Sequence, residues 1–219
     1  TGNYTGTGDC NWSIICCTAI VNLGNLTGHT YNGSPQSATA TTSNPSGLNV
    51  AITYNGSLTV PTAAGTYAVH GEISAPVDQY GQQWGGHADG QMTVALASQG
   101  PFTLAATASQ TYGATLNLST KLTASGSGNG AISYAIIASS SPSIASISGA
   151  TLSTTTGTGW VDIQATKATG TDGNYNPATS NTMRVTFAKA TQTALVFNPI
   201  TPGVYGTTQT LSATGGSVG

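Results

Sequence analysis

Four residues carry most of the ligating chemistry in this sequence: His70, Glu72, His87 and Asp89. His70 and Glu72 are two positions apart and share one face of an extended strand. His87 and Asp89 sit in a Gly-rich stretch, "GQQWGGHADG", just before an alternating segment running from Met92 to Leu96. If that segment pairs beside the strand of His70, two imidazoles and two carboxylates converge on a point where zinc or a similar ion could bind. The plainer reading is four exposed polar residues around a loop, and the sequence favours it. No resident metal and no cofactor are expected.

Other chemistry is weaker still. Glycoside hydrolysis needs two carboxyl groups flanking one bond. The candidates Glu72, Asp78, Asp89, Asp162 and Asp172 are divided between two halves of the chain, and three of them flank turn residues. Serine is abundant, but no Gly-x-Ser-x-Gly elbow is present. The glycines fall in hairpin turns rather than in a phosphate-cradling loop that opens a helix. The sequence therefore predicts a protein that is not an enzyme. Trp12, Trp84 and Trp160 fall in predicted loops or on outward faces, where a ring could stack on a sugar or anchor a subunit contact; packing at a hinge is the alternative. Sequons at Asn3, Asn11, Asn25, Asn32, Asn55 and Asn117 are expected by chance in so Asn/Ser/Thr-rich a chain and indicate surface loops.

The three cysteines, Cys10, Cys16 and Cys17, crowd into the first seventeen residues. If 11–17 is a strand, Cys10 and Cys16 lie about 20 Å apart, beyond the roughly 7 Å that a disulfide spans. One cysteine buried as a small hydrophobe with the others free, or a cross-link to a neighbouring chain, both fit. No second ligand pair follows at a zinc-site spacing.

Composition limits the partners. Only 5% of the 219 residues are charged, with four Lys or Arg against six Asp or Glu. Nucleic-acid binding draws on clustered cations that displace counterions, so it is not expected. Calcium ladders and polybasic membrane patches need more charge than this as well. No apolar run reaches 18 residues, so no membrane insertion is expected in this segment.

The elements that must position these residues are strands. Val, Ile, Thr and Tyr runs are set among Gly, Ser and Asn, which favour turns and compete with the helix ladder. In "GTYAVHGEI", Tyr67, Val69, Gly71 and Ile73 share one face; in "GWVDIQAT", Val161, Ile163 and Ala165 do; in "TMRVTF", Met183, Val185 and Phe187 do. Each reads as a half-buried strand with its apolar row inward. The pattern also repeats. A Tyr-led hairpin unit begins at Tyr31, Tyr112 and Tyr205, spaced 81 and 93 residues apart, close to one small sandwich per period. A second pattern, an Asn/Asp–Tyr loop followed by an alternating strand, closes each unit. The expected layout is 1–17 as the tail strand of a preceding repeat, 18–97 and 98–190 as two complete repeats, and 191–219 as the first strands of a following one. The fold class expected is all-β, as tandem immunoglobulin-like β-sandwiches.

Residues 18–97, with "LTGHTYNGSPQSATATT", "LNVAITYNGS" and "PTAAGTYAVHGEI", resemble the mostly-beta, glycine-rich (MBG) repeat of bacterial surface proteins. Residues 98–190, with "PFTLAATAS", "PSIASISGATLSTTTGTGWVDIQAT", "NYNPAT" and "AKATQT", resemble the bacterial immunoglobulin-like repeats that often stand beside it. The chain departs from the pattern at "DCNWSIICC" and at the 80–90 insertion. The resemblance implies an extracellular cell-surface or filament protein with no catalytic residue to carry over. The function it implies is that of a spacer or adhesin stalk, whose partners are neighbouring repeats or identical subunits meeting through shared or covered edge strands. The alternative is a glycan- or surface-binding adhesin module using the exposed aromatics of the insertion.

Overall fold

β-Branched and aromatic residues set at alternate positions do what the sequence predicts. In the computed structural model, which describes residues 17–74 and 84–216, every regular element is a strand apart from one 3-10 turn at Leu118–Lys121. The described residues divide into two compact units. The first holds residues up to Gln99 together with 127–131 and 168–177; the second holds 100–126, 132–167 and 178–219. Residues 1–17, read as a preceding tail, fall almost wholly outside the described residues.

The first unit contains β1 (Cys17–Thr18), β2 (Ile20–Gly24), β3 (His29–Thr30), β4 (Thr39–Ser43), β5 (Val50–Tyr54), β6 (Gly65–Ile73), β7 (Trp84–Gly85) and β8 (His87–Ala95). A four-stranded sheet runs β3-β8-β6-β5, with β2 paired to β4 and β1 to β7. Val69, Met92 and Val94 are buried at the centre with Tyr54 and Ala38. The Tyr54 hydroxyl accepts the Ala38 N–H at 2.9 Å, which satisfies a polar tip inside an apolar layer. Two glycines let the layers meet. A Cβ on Gly71 would stand 2.9 Å from Leu23 Cδ2, and one on Gly90 2.9 Å from Leu26 Cδ1. Both positions face the core, so their lack of a side chain is what admits those leucines. Segment 168–177, predicted within the second repeat, belongs to this unit: Asn174 Oδ1 accepts the Ala64 N–H at 2.8 Å and Tyr175 meets Tyr31 edge-on at 5.3 Å.

The second unit contains β9 (Phe102–Leu104), β10 (Thr107–Thr111), β11 (Thr115–Asn117), β12 (Leu122–Ser125), β13 (Ile132–Ser139), β14 (Ala145–Ser148), β15 (Thr151–Thr154), β16 (Gly159–Lys167), β17 (Ala178–Thr179), β18 (Met183–Ala188), β19 (Val196–Phe197) and β20 (Ala213–Thr214). Its main sheet runs β10-β18-β16-β13, with β17 on β16, and a second sheet runs β11-β15-β14. Leu118, Leu152, Val161, Ile163, Ala165, Met183 and Val185 are fully buried between them. All three inward rows read from the sequence face the cores as expected. The row of β16 continues to Lys167, which is buried and donates from Nζ to the Ser125 carbonyl at 2.9 Å.

Edge strands are protected by local devices. β3 is two residues long, and β13 carries a register irregularity between Ile136 and Ala138. Short and irregular edges resist pairing with other chains without any charge, which suits a chain so poor in Lys and Glu.

Candidate functional site

β6 and β8 pair antiparallel in a register that sets His70 opposite Asp89 and Glu72 opposite His87. All four sequence candidates therefore stand on one sheet face as a two-by-two block. The condition on which their convergence depended, pairing of the two segments, is met. The chemistry that results is a hydrogen-bond cluster. His70 Nδ1 lies 2.6 Å from Asp89 Oδ1, His70 Nε2 lies 3.9 Å from Glu72 Oε2, and the His70 and His87 rings are 5.5 Å apart between centroids. Among the described residues no group of three or more His, Cys, Asp or Glu is arranged to hold a metal ion. The side chains of Asp89 and Glu72 are 71% exposed, so their fields are screened by water and salt. The hydrogen bond to Asp89 still raises the His70 pKa above its ordinary value, with smaller help from the charges of Asp89 and Glu72 and some opposition from desolvation.

A second polar cluster lies on the outward face of β16 and β18, and the sequence reading passed over it. Asp162 stands opposite Arg184 in register, and the guanidinium binds the carboxylate with two parallel bonds of 2.8 Å, from Nε to Oδ1 and from Nη2 to Oδ2. The Arg184 guanidinium also lies 3.9 Å from the centre of the Trp160 ring, stacked as a cation on a π face. The hydrogen bonds lower the Asp162 pKa and raise that of Arg184. Alternation shows that Trp160, Asp162 and Arg184 point outward. It could not show that β16 and β18 are neighbours in this register.

The three tryptophans fare differently. Trp160 is outward as predicted, but Arg184 occupies one of its faces. Trp84 corrects the expectation of a loop or outward ring: it lies in β7 and packs against the core formed by Ala19, Val21 and Ile73. Burial of a large apolar ring outweighs display of it, since each aromatic covers about 150–250 Å². Trp12, Cys10, Cys16 and Asp78 lie outside the described residues. Cys17, in β1, is half-buried with a free thiol and pairs in register with Trp84.

The sequon asparagines within the described residues serve turns. Asn25 donates to the Ser37 carbonyl at 2.7 Å, and Asn55 accepts the Ala68 N–H at 2.8 Å. Asn32 and Asn117 accept the N–H groups two residues ahead, from Ser34 and Ser119. These local bonds are the usual work of Asn in tight loops.

Taken together, the described face carries paired and solvated polar groups over all-β cores. That defines a class: an all-β protein. Residues 19–98 match the family model of the MBG domain, which confirms the resemblance read from "HTYNGSPQ" and "GTYAVHGEI". No curated protein matches the chain. The MBG domain is a repeat domain of bacterial surface proteins. Among the described residues no helix is long and apolar enough to cross a membrane.

Proposed function

We propose that this chain is a mechanical segment of a long extracellular bacterial surface or fibre protein, a non-catalytic spacer or adhesin stalk. The observation that carries this reading is the way the near-terminal strands of each unit pair. β10 runs parallel to β18 over five registered pairs, from Thr107 with Arg184 to Thr111 with Ala188. β3 runs parallel to β8 through His29 with Val94 and Thr30 with Ala95. In a parallel pair, the leading end of the early strand and the trailing end of the late strand lie at opposite ends of the ladder. Tension applied along the chain then slides the strands past each other and loads all their hydrogen bonds together. An antiparallel terminal pair would unzip one bond at a time. The reading is supported further by separate buried cores, one formed by residues between Ala38 and Val94 and the other by residues between Phe102 and Phe187.

Stretching single molecules held at both ends tests the proposal. Each unit should release as one event, with a contour gain of about 30 nm for some 90 residues. The second unit, with its five-pair ladder, should yield at the higher force. Opening of both units without a distinct force peak would refute it. Binding of a glycan array by the folded chain would instead favour the adhesin reading.

A further inference from the structure

An Asn/Asp–Tyr loop recurs along the sequence, as "GNY" at 2–4, "DQY" at 78–80 and "GNYN" at 173–176. Of the three, the last lies within the described residues. Asn174, Tyr175 and Asn176 fall in sequence between β16 and β17, yet they belong to the first unit. Their partners there all lie in the segment matched by the MBG model. Tyr175 forms a parallel bridge with Ala97: the Ala97 N–H donates to the Asn174 carbonyl at 3.0 Å, and the Asn176 N–H donates to the Ala97 carbonyl at 2.9 Å. Asn174 is buried, and its Oδ1 accepts the Ala64 N–H at 2.8 Å. Asn176 Nδ2 reaches the Leu96 carbonyl at 3.4 Å, and the Tyr175 ring meets that of Tyr31 edge-on at 5.3 Å. The turn is also braced by neighbours of its own. Gly173 N–H donates to the Gly170 carbonyl at 3.0 Å, and Asn129 Nδ2 donates to Thr171 Oγ1 at 3.0 Å. A Cβ on Gly128 would stand 2.7 Å from Tyr175 Cδ2, so a glycine there leaves room for the ring.

We infer that the edge formed by Tyr31, Ala64, Leu96 and Ala97 is a docking site of the MBG domain for an Asn-Tyr-Asn turn, filled in this chain by residues 174–176 from outside the matched segment. The polar groups of the site are all main chain: the Ala64 N–H, the Leu96 carbonyl, and the N–H and carbonyl of Ala97. Such groups are offered whatever side chains stand at 64, 96 and 97, so the selection falls on the incoming turn. This is strand addition reduced to a single rung, with side chains reading what flanks it. The first Asn supplies a short acceptor that reaches a main-chain N–H, and the second supplies an amide donor. Tyrosine between them supplies a ring for the edge contact with Tyr31. With the turn withdrawn, the Ala64 and Ala97 N–H groups lose these partners, at a cost comparable to lost hydrogen bonds. The stability of the first unit is therefore set in part by residues outside 19–98, and a fully stable MBG domain depends on chain that follows it. The inference goes beyond the stalk reading and does not rest on it.

Amide exchange on the full chain tests it. Asn174→Ala and Tyr175→Ala should each lower the protection of 87–95, in the first unit, by about tenfold, the effect of losing one partly buried bond or contact. Protection of 159–167, which stands much nearer to both positions in sequence, should stay unchanged. A double-mutant cycle supplies a second measurement: Tyr31→Ala with Tyr175→Ala should lower protection of 87–95 by less than the product of the two single effects, because both remove the same ring contact. Protection of 87–95 that neither single variant moves would overturn the inference. So would loss of protection over 159–167 in either variant, which would make the turn a part of the second unit, or effects of the two tyrosines that multiply in full. None of these results would alter the force-peak test of the stalk.

Discussion

Ile163→Ala against Ile137→Ala is the sharpest probe of the second core. Ile163 is fully buried in β16, in register with Ile136 on one side and Met183 on the other. Truncation removes three carbons, about 2.4 kcal/mol of transfer free energy at ~0.8 kcal/mol per methylene. A cavity term adds to this, because two registered ladders prevent the sheet from collapsing inward, so a total of about 3–4 kcal/mol is expected. Ile137 lies in the same sheet and is 51% exposed; its truncation should cost less than about 0.5 kcal/mol. Urea unfolding followed by unit-resolved amide exchange reads both. Protection of 159–167 should fall with Ile163→Ala while protection of 87–95 is retained. Equal costs at the two isoleucines would refute the burial argument. Equal loss of protection in both units would refute their separate cores.

Further outcomes follow from the same geometry. Gly71→Val should destabilise the first unit by about 2–3 kcal/mol, since its β-carbon would stand 2.9 Å from Leu23 Cδ2, and thermal unfolding would show it. Gly86→Ala should be worse tolerated, because the new carbon would overlap the Ala19 carbonyl, a backbone atom that cannot rotate away; soluble yield and melting temperature measure this. His70 is raised in the folded state, so the stability it contributes is complete below its ordinary value and is lost as pH rises through the raised one. The urea midpoint of the first unit should therefore fall as pH rises from below 6.5 through the raised value, and Asp89→Asn should flatten that slope. Asp162 runs the other way: it is lowered in the folded state, and its contribution is lost as pH falls through that lowered value. Arg184→Lys should weaken both the paired bonds and the stack, and Trp160 fluorescence should report the exposed ring.

The candidate polar sites were only half legible in the sequence. Their faces followed from period-two alternation: His70 with Glu72, and His87 with Asp89, fall on one side of their strands whatever those strands pair with. Which residue meets which did not follow. His70 opposite Asp89 depends on the register of two strands 19 positions apart at that pair, and register is set by the whole inner face locking against Leu23 and Leu26. Trp84 misled for a related reason. It sits in a Gly-rich stretch that reads as a loop, and only the neighbourhood of Ala19, Val21 and Ile73 gives its ring something to cover.

By itself the sequence determined the all-β class, the inward rows of β6, β16 and β18, and the recurrence of a Tyr-led hairpin, because all three depend on nearest neighbours and on side chains alternating across a pleat. The tertiary structure alone decided the register shift between Ile136 and Ala138, the parallel seating of β10 on β18, the stack of Arg184 on Trp160, and the allotment of residues 168–177 to the first unit. Each of these joins segments far apart in the chain, where local preference is silent and the packing of whole faces chooses the partner.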